Sequence, residues 1–212
     1  MKIILKVAVI GGTGKSGKYL VKQLMDQGFS FKILLRNPEN FSNNSPLVEI
    51  VKGDARDPIA VRSLISGCQA VISTLGQPKG ETSIFSQATG NVIQSMNELN
   101  VNRYIVTTGL NVDTEFDNKS PKTKFATEWM KTNYPETTFD KQEEYNILSR
   151  SNVDWTLLRL PLIEQTDSRS KISVSLEDCP GDKISSTDLA QFLIEQLSDK
   201  SFIRKSPFIA GR

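Results

Sequence analysis

The residues with the most specific chemistry lie close to the N-terminus. Val9-Ile10-Gly11-Gly12-Thr13-Gly14-Lys15-Ser16-Gly17 contains Gly11-x-x-Gly14-x-x-Gly17, and also Gly12-x-Gly14-x-x-Gly17, between an apolar β-branched run and a stretch with helical periodicity. Glycine is required at such a turn because the backbone passes through left-handed angles and because a side chain would hold it away from a pyrophosphate. Amides at the start of the following helix then solvate the phosphates. Gly11, Gly12, Thr13, Gly14, Lys15, Ser16 and Gly17 are therefore assigned to a dinucleotide. Gly14-Lys15-Ser16 has the look of a mononucleotide phosphate loop, but that loop needs glycine five residues before Gly14, where this chain has Val9. No convincing strand-end aspartate for magnesium follows either.

Discrimination between the nicotinamide cofactors falls at the end of the second strand, where an acidic residue holds the ribose 2′-hydroxyl of NAD. This chain has Arg36 there. Its guanidinium suits a 2′-phosphate and stacking along adenine, with Asn37 as a further donor. NADP(H) is the expected cofactor and NAD(H) the lesser option.

Composition removes most other chemistry. The histidine count is zero, which excludes Ser-His-Asp and Cys-His catalysis, histidine-ligated metals and any imidazole acid-base group. Two cysteines, Cys68 and Cys179, are too few and too far apart for a redox pair, a zinc site or a disulfide framework, which fits a reducing cytoplasm. The net charge of +2 makes neither nucleic acid nor an anionic membrane the leading partner. Lys6 interrupts the apolar run Ile3-Ile4-Leu5, so no signal peptide is expected, and no stretch approaches the roughly 18–20 apolar residues of a membrane span.

These groups need elements to position them. Ile3 to Ile10 reads as a strand buried on both faces in the middle of a sheet, and Lys15 to Gln27 as a helix ending at Gly28. Phe31–Leu35, Val48–Val51, Ala70–Leu75 and Tyr104–Thr107 read as strands, with helices at Ile59–Ile65 and Ile84–Leu99. Helices about Lys122–Thr132 and Asp140–Ser149 precede a strand at Trp155–Leu158, and a last helix follows Ser186-Thr187-Asp188 up to Leu197, capped by either hydroxyl or by Asp188. The polar stretch from Asp113 to Lys124 is expected to be a mobile loop, and Leu160 to Ser185 a short, loop-rich excursion that leaves room for only a small or shallow substrate pocket. Such βαβα order implies an α/β fold, a doubly wound parallel sheet in a single domain over 1–212.

Four segments carry a family resemblance: Gly11-Gly12-Thr13-Gly14-Lys15-Ser16-Gly17, Leu35-Arg36-Asn37-Pro38, Gly53-Asp54-Ala55-Arg56-Asp57 and Asp154-Trp155-Thr156-Leu157-Leu158-Arg159. Together they resemble atypical short-chain dehydrogenase/reductase proteins of Rossmann type, in the NAD(P)H-binding group that includes NmrA-like proteins and flavin or biliverdin-IXβ reductases. Ile184-Ser185-Ser186-Thr187-Asp188-Leu189-Ala190 and the closing Lys205-Ser206-Pro207-Phe208-Ile209-Ala210 look like that group's C-terminal helix and last strand. The resemblance implies Asp54 and Ala55 near the adenine, and Thr74, Leu75 and Gly76 along the cofactor. It further implies Thr107 and Thr108 near the nicotinamide ribose, and Pro161 with Leu162 near the carboxamide.

The departures are as informative. Better-known members use Tyr-x-x-x-Lys, in which a lysine lowers the phenol pKa so that it can shuttle a proton. Here Tyr19, Tyr104, Tyr134 and Tyr145 are followed four residues later by Gln23, Thr108, Thr138 and Ser149. Lys141 aligns with the family lysine, and the tyrosine position is then Thr137. Sugar epimerase and alcohol dehydrogenase chemistry lose their acid, whereas hydride transfer to a flavin or quinone-like ring needs mainly positioning. The expectation is an NAD(P)H-dependent reductase of a small conjugated acceptor, monomeric or homodimeric. In it Lys141 orients ribose or carboxamide, Thr108 donates a hydrogen bond, and Glu144 is a weaker candidate equally readable as a solvated helix residue. A regulatory NADP(H) sensor of NmrA-like type without turnover is the competing expectation, and an epimerase/dehydratase-like enzyme the third.

Overall fold

The computed structural model describes residues 5–42, 45–77 and 80–212. A sheet of eight strands runs β3-β2-β1-β4-β5-β6-β10-β8, where β1 is Lys6–Ile10, β2 Ser30–Leu35, β3 Val48–Lys52, β4 Ala70–Ser73, β5 Arg103–Gly109, β6 Asp154–Leu160, β8 Ile172–Ser175 and β10 Phe208–Gly211. The pairings from β3 through to β10 are parallel, and β8 closes the far edge antiparallel to β10. The order reverses between β1 and β4, the crevice at which doubly wound sheets bind ligands.

Alternation along β1 explains the layers. Val7 and Val9 join one apolar cluster with Leu20 and Leu24 of α1 (Gly17–Asp26) and Leu189 and Leu193 of α6 (Ser186–Glu195). Ala8 and Ile10 join another, with Val61 and Leu64 of α2 (Pro58–Ile65), Val92 and Met96 of α3 (Phe85–Leu99) and Leu148 of α5 (Pro135–Arg150). The remaining helix, α4 (Pro121–Asn133), packs on α5. A strand covered on both faces has to be apolar throughout, which is why β1 reads as a continuous hydrophobic run.

Several expectations need correction. The first strand begins at Lys6, and Ile3 and Ile4 lie outside the described residues. Helix α5 starts at Pro135, five residues before Asp140, because proline suits the first helical position while the inward stripe Thr138, Lys141, Glu144 and Leu148 is too polar to show as hydrophobic periodicity. The cap of α6 is Ser185, whose hydroxyl accepts from the Asp188 amide at 3.0 Å, so Ser186, Thr187 and Asp188 lie inside the helix. The excursion from Leu160 to Ser185 holds three short strands: β8 on the main sheet, and β7 (Leu162–Glu164) paired in parallel with β9 (Lys183–Ser185).

The stretch from Asp113 to Lys124 is tied down rather than loose, and its end is already helical in α4. Arg159, fully buried on β6, donates to Asp117 Oδ1 at 2.5 Å and to the carbonyls of Val112, Leu176 and Ser206, with its guanidinium 3.5 Å from the Phe208 ring centroid. Lys119 adds bonds to Asp113 at 2.6 Å and to the Val112 carbonyl at 3.1 Å. A buried guanidinium must find acceptors, and this loop supplies them.

Candidate active site

At the switch point the glycine loop folds closely on itself and on the end of β4. Gly11 sits at φ +77°, and a methyl group there would come within 2.7 Å of the Thr74 and Leu75 backbone. A Cβ on Gly17 would collide with the Gly11 carbonyl oxygen, so both positions require glycine for close approach, and Gly11 for its conformation as well. That carbonyl accepts from the Gly14 amide at 3.0 Å, and the Thr74 hydroxyl donates across to the carbonyls of Ile10 and Gly11. Gly12 is packed beneath the loop, while Thr13, Gly14 and Lys15 form an exposed tip. Ser16 makes no side-chain cap, and the first turn of α1 carries no acidic residue. The positive end of the helix dipole therefore faces the crevice without an internal counter-charge on that turn.

On the β2 side of the switch point, charged side chains gather from the segments after β2, β3 and β4. Arg36 follows β2 and is half exposed, with its Nη1 donating to Glu81 Oε1 at 2.7 Å. Arg56, from the loop after β3, donates to the other oxygen of Glu81 at 2.7 Å. Asp54 forms a local turn by accepting from the Arg56 amide at 2.8 Å and stands 3.3 Å from the Arg56 guanidinium and 3.9 Å from Arg36. The hydrogen bond to Glu81 raises the Arg36 pKa, and the two guanidiniums hold Glu81 below the usual carboxylate range. Asn37 opens a short 3-10 turn over Pro38–Asn40 with no side-chain cap. Ala55 is buried, and its carbonyl accepts from Asn91 at 2.9 Å.

The crevice wall at the end of β5 is organised differently. Lys141 reaches from α5 to donate to the Thr107 carbonyl at 3.0 Å and to Glu144 at 2.8 Å, with its ammonium 3.6 Å from the Phe85 ring centroid. Glu144 is not a solvated helix residue: it is 2% exposed and accepts from the Thr89 hydroxyl at 2.9 Å, which in turn lies 3.2 Å from the Tyr104 hydroxyl. Burial pushes the Glu144 pKa up, against the pull of Lys141 and Thr89. Tyr104 approaches this group from the core, where desolvation raises its pKa.

Thr107 directs its hydroxyl to the Ser73 carbonyl at 3.5 Å. Thr108 alternates to the face shared by Tyr104 and Val106, and its buried hydroxyl has no hydrogen-bond partner among the described residues. Leu75 is half-buried against the core and Gly76 exposed beyond it; Pro161, just after β6, is buried, and Leu162, which opens β7, is 69% exposed.

A dinucleotide fits what is present: a cradle of backbone that a Cβ would fill, an uncompensated helix N-terminus, and an orphaned hydroxyl at the end of β5. No group of three or more metal-ligating side chains occurs among the described residues. Sequence reading missed Arg56, Glu81, Phe85 and Asp140. The carboxylate of Asp140, on α5, accepts from the Phe85 amide at 2.7 Å, the Ser86 amide at 3.2 Å and the hydroxyls of Ser83 and Ser86, capping α3 from another helix. Arg56 lies inside a motif already singled out; the other three carry no local signal, because only the sheet gathers them.

This geometry defines a doubly wound dinucleotide-binding protein. A family model described as NAD(P)H-binding matches residues 11–200, and the chain belongs to that family. Photosystem II assembly factor Ycf39 of Trieres chinensis is 25% identical over 167 residues, covering 75% of this chain and 52% of that factor. The chain thus spans about half the length of that relative, and less of other curated relatives such as the cinnamoyl-CoA reductase 1 of Petunia hybrida, at 39%. Among solved structures, an anaerobillin reductase, ChuY, from Escherichia coli O157:H7 superposes with TM-score 0.82 at 17% identity, covering 97% of each chain. A wide-type short-chain dehydrogenase/reductase from Veillonella parvula in complex with NADP gives 0.80 at 14% identity, covering 97% of this chain and 94% of that one. The fold is the Rossmann type expected from the sequence, shared with these solved structures and matched by the NAD(P)H-binding family model.

Proposed function

We propose that this chain is a cytoplasmic NAD(P)H-dependent reductase, NADPH-preferring, that passes hydride to a flavin, quinone or similar conjugated small molecule. The observation that carries this reading is a complete phosphate cradle at Gly11–Gly17 facing a nicotinamide end with an orphaned Thr108 hydroxyl and no phenol acid. The bound nicotinamide supplies the hydride. Gly14 and Lys15 at the loop tip and the amides of α1 hold the pyrophosphate, and Arg36 with Asn37 takes the 2′-phosphate. Thr74, Leu75 and Gly76 line the cofactor's path, Thr107 and Pro161 flank the nicotinamide ribose and carboxamide, and exposed Leu162 borders the acceptor. Thr108 donates its hydroxyl to the nicotinamide or the acceptor, and Lys141 fixes the end of β5 through the Thr107 carbonyl. A flat acceptor protonated by water needs no tyrosine, so positioning supplies most of the rate.

Two fold neighbours, an anaerobillin reductase and a short-chain dehydrogenase/reductase in complex with NADP, support this direction. NADPH oxidation measured with FMN, riboflavin and quinones tests it; turnover no faster than a cofactor-only control defeats it. A second reading, an NADP(H) sensor without turnover, draws support from Lys141, whose ammonium is already engaged by Thr107, Glu144 and Phe85. Equal binding of oxidised and reduced cofactor with no oxidation of any acceptor favours it. In either case a monomer or homodimer is expected.

A further inference from the structure

The adenosine end contains an anion of its own. Arg36 lies beyond β2, Arg56 beyond β3 and Glu81 beyond β4, while β1 with its glycine loop stands between β2 and β4 in the sheet. The Glu81 carboxylate joins these segments. Each of its oxygens accepts from a different guanidinium, both at 2.7 Å, so one anionic group occupies a donor of each arginine. Gln77 holds the main chain of this residue by donating to the Glu81 carbonyl at 2.8 Å. Asp54 contributes the second negative charge, and the cluster of two arginines and two carboxylates is neutral as it stands. The Arg36 and Glu81 side chains are 51% and 37% exposed, so a solute can reach the pairs and exchange with them.

A nucleotide 2′-phosphate presents the same chemistry as Glu81, several anionic oxygens for planar guanidinium donors, with a charge of about −1.5 to −2. We infer that Glu81 is an internal stand-in for the 2′-phosphate of NADP(H): the phosphate must displace it to reach Arg36 and Arg56, and Glu81 thereby sets how strongly the protein prefers the phosphorylated cofactor. The inference rests on the dinucleotide reading above and deepens it in two respects. It makes Arg56 a second arm of the phosphate site, and it makes Glu81 a specificity-determining residue that acts by competition. NAD(H) brings no phosphate to exchange for these pairs, so it gains nothing from their release.

The test compares dissociation constants for NADPH, NADH, adenosine 2′,5′-bisphosphate and 5′-AMP across wild type, Glu81→Gln, Glu81→Ala and Arg56→Met, with Tm recorded for each. Both Glu81 variants are expected to tighten NADPH and the bisphosphate by roughly five- to tenfold, the scale of two exposed ion pairs, with much smaller changes for NADH and 5′-AMP. Arg56→Met is expected to shift the NADPH-to-NADH ratio by a similar factor in the opposite direction. A ratio unchanged in the Glu81 variants overturns the inference, as does selective weakening of NADH, which would make Glu81 a ligand of the ribose hydroxyl. Wild type that binds neither dinucleotide defeats the cofactor reading itself. Wild type that binds both, with variants that leave the ratio alone, defeats only the role of Glu81.

Discussion

The two ends of the crevice hold their charges in opposite ways. On the β2 side, Arg36, Arg56 and Glu81 are partly exposed and joined by ion pairs open to solvent. At the end of β5, Lys141 and Glu144 are buried, and Thr89, Tyr104 and the Thr107 carbonyl close the network around them. Exposed pairs are worth little to stability and exchange readily, whereas breaking a buried pair strands a charge in a poor solvent. The first end is suited to recognition and the second to holding shape. Substitutions should therefore trade binding at one end against stability at the other.

The largest effect is expected at the buried pair. Lys141→Met leaves Glu144 without its cation and should lower unfolding stability by about 3–5 kcal/mol, with most of the loss recovered in the double variant Lys141→Met/Glu144→Gln. Urea unfolding of the three proteins measures this; an additive double variant would show that the two side chains do not act as a pair.

Gly14→Val works at the other end. A Cβ there meets only the Gly11 carbonyl, at 3.2 Å, so Tm should hold while NADPH affinity falls roughly tenfold or more, because the side chain crowds the amides that solvate phosphate. Fluorescence titration beside a thermal melt separates the two quantities, and loss of Tm without loss of affinity would reverse the assignment.

Asp140 joins the helices of the stable end. Burial pushes its carboxyl up, but the hydroxyls of Ser83 and Ser86 and the amides of Phe85 and Ser86 outweigh that and hold it below the ordinary carboxylate range. A depressed folded pKa gives stability that is present above the unfolded value of about 3.9 and is lost as pH falls through the folded one. Asp140→Asn should cost about 1–2 kcal/mol at neutral pH and lose less on acidification than wild type does. Parallel acid titrations of unfolding stability check the slope.

The smallest structural effect is expected at Thr108. Its hydroxyl has no partner among the described residues, so Thr108→Val should change stability by less than about 1 kcal/mol. If the hydroxyl serves the reaction, acceptor reduction should slow several-fold while the dissociation constant for NADPH stays put. Unchanged turnover would leave Thr108 with no part in the chemistry.

Much of the frame was legible because its signals are local. The unbroken apolar run of β1, the glycines after it and the alternation of strand and helix up to β6 follow from backbone conformation and from burial on both faces. The corrected parts lacked such signals. Helix α5 turns a polar stripe inward, Ser185 sits one residue before the hydroxyls expected to cap α6, and β7 to β9 are too short for a periodicity to register. The segment from Asp113 looked loose because its anchor, Arg159, lies 42 residues beyond Asp117 in the chain.

By itself, then, the sequence determined the glycine loop, the absence of imidazole and of a Tyr-x-x-x-Lys pair, and an arginine at the end of the second strand, all properties of residue type and spacing. Only the tertiary structure decided that Arg36 and Arg56 share Glu81, that Lys141 is closed off by Glu144, and that Asp140 caps a helix other than its own. The physical reason is range. A turn or a buried strand is fixed by neighbours along the chain, whereas an ion pair is fixed by which strand ends the sheet brings within a few ångströms of one another.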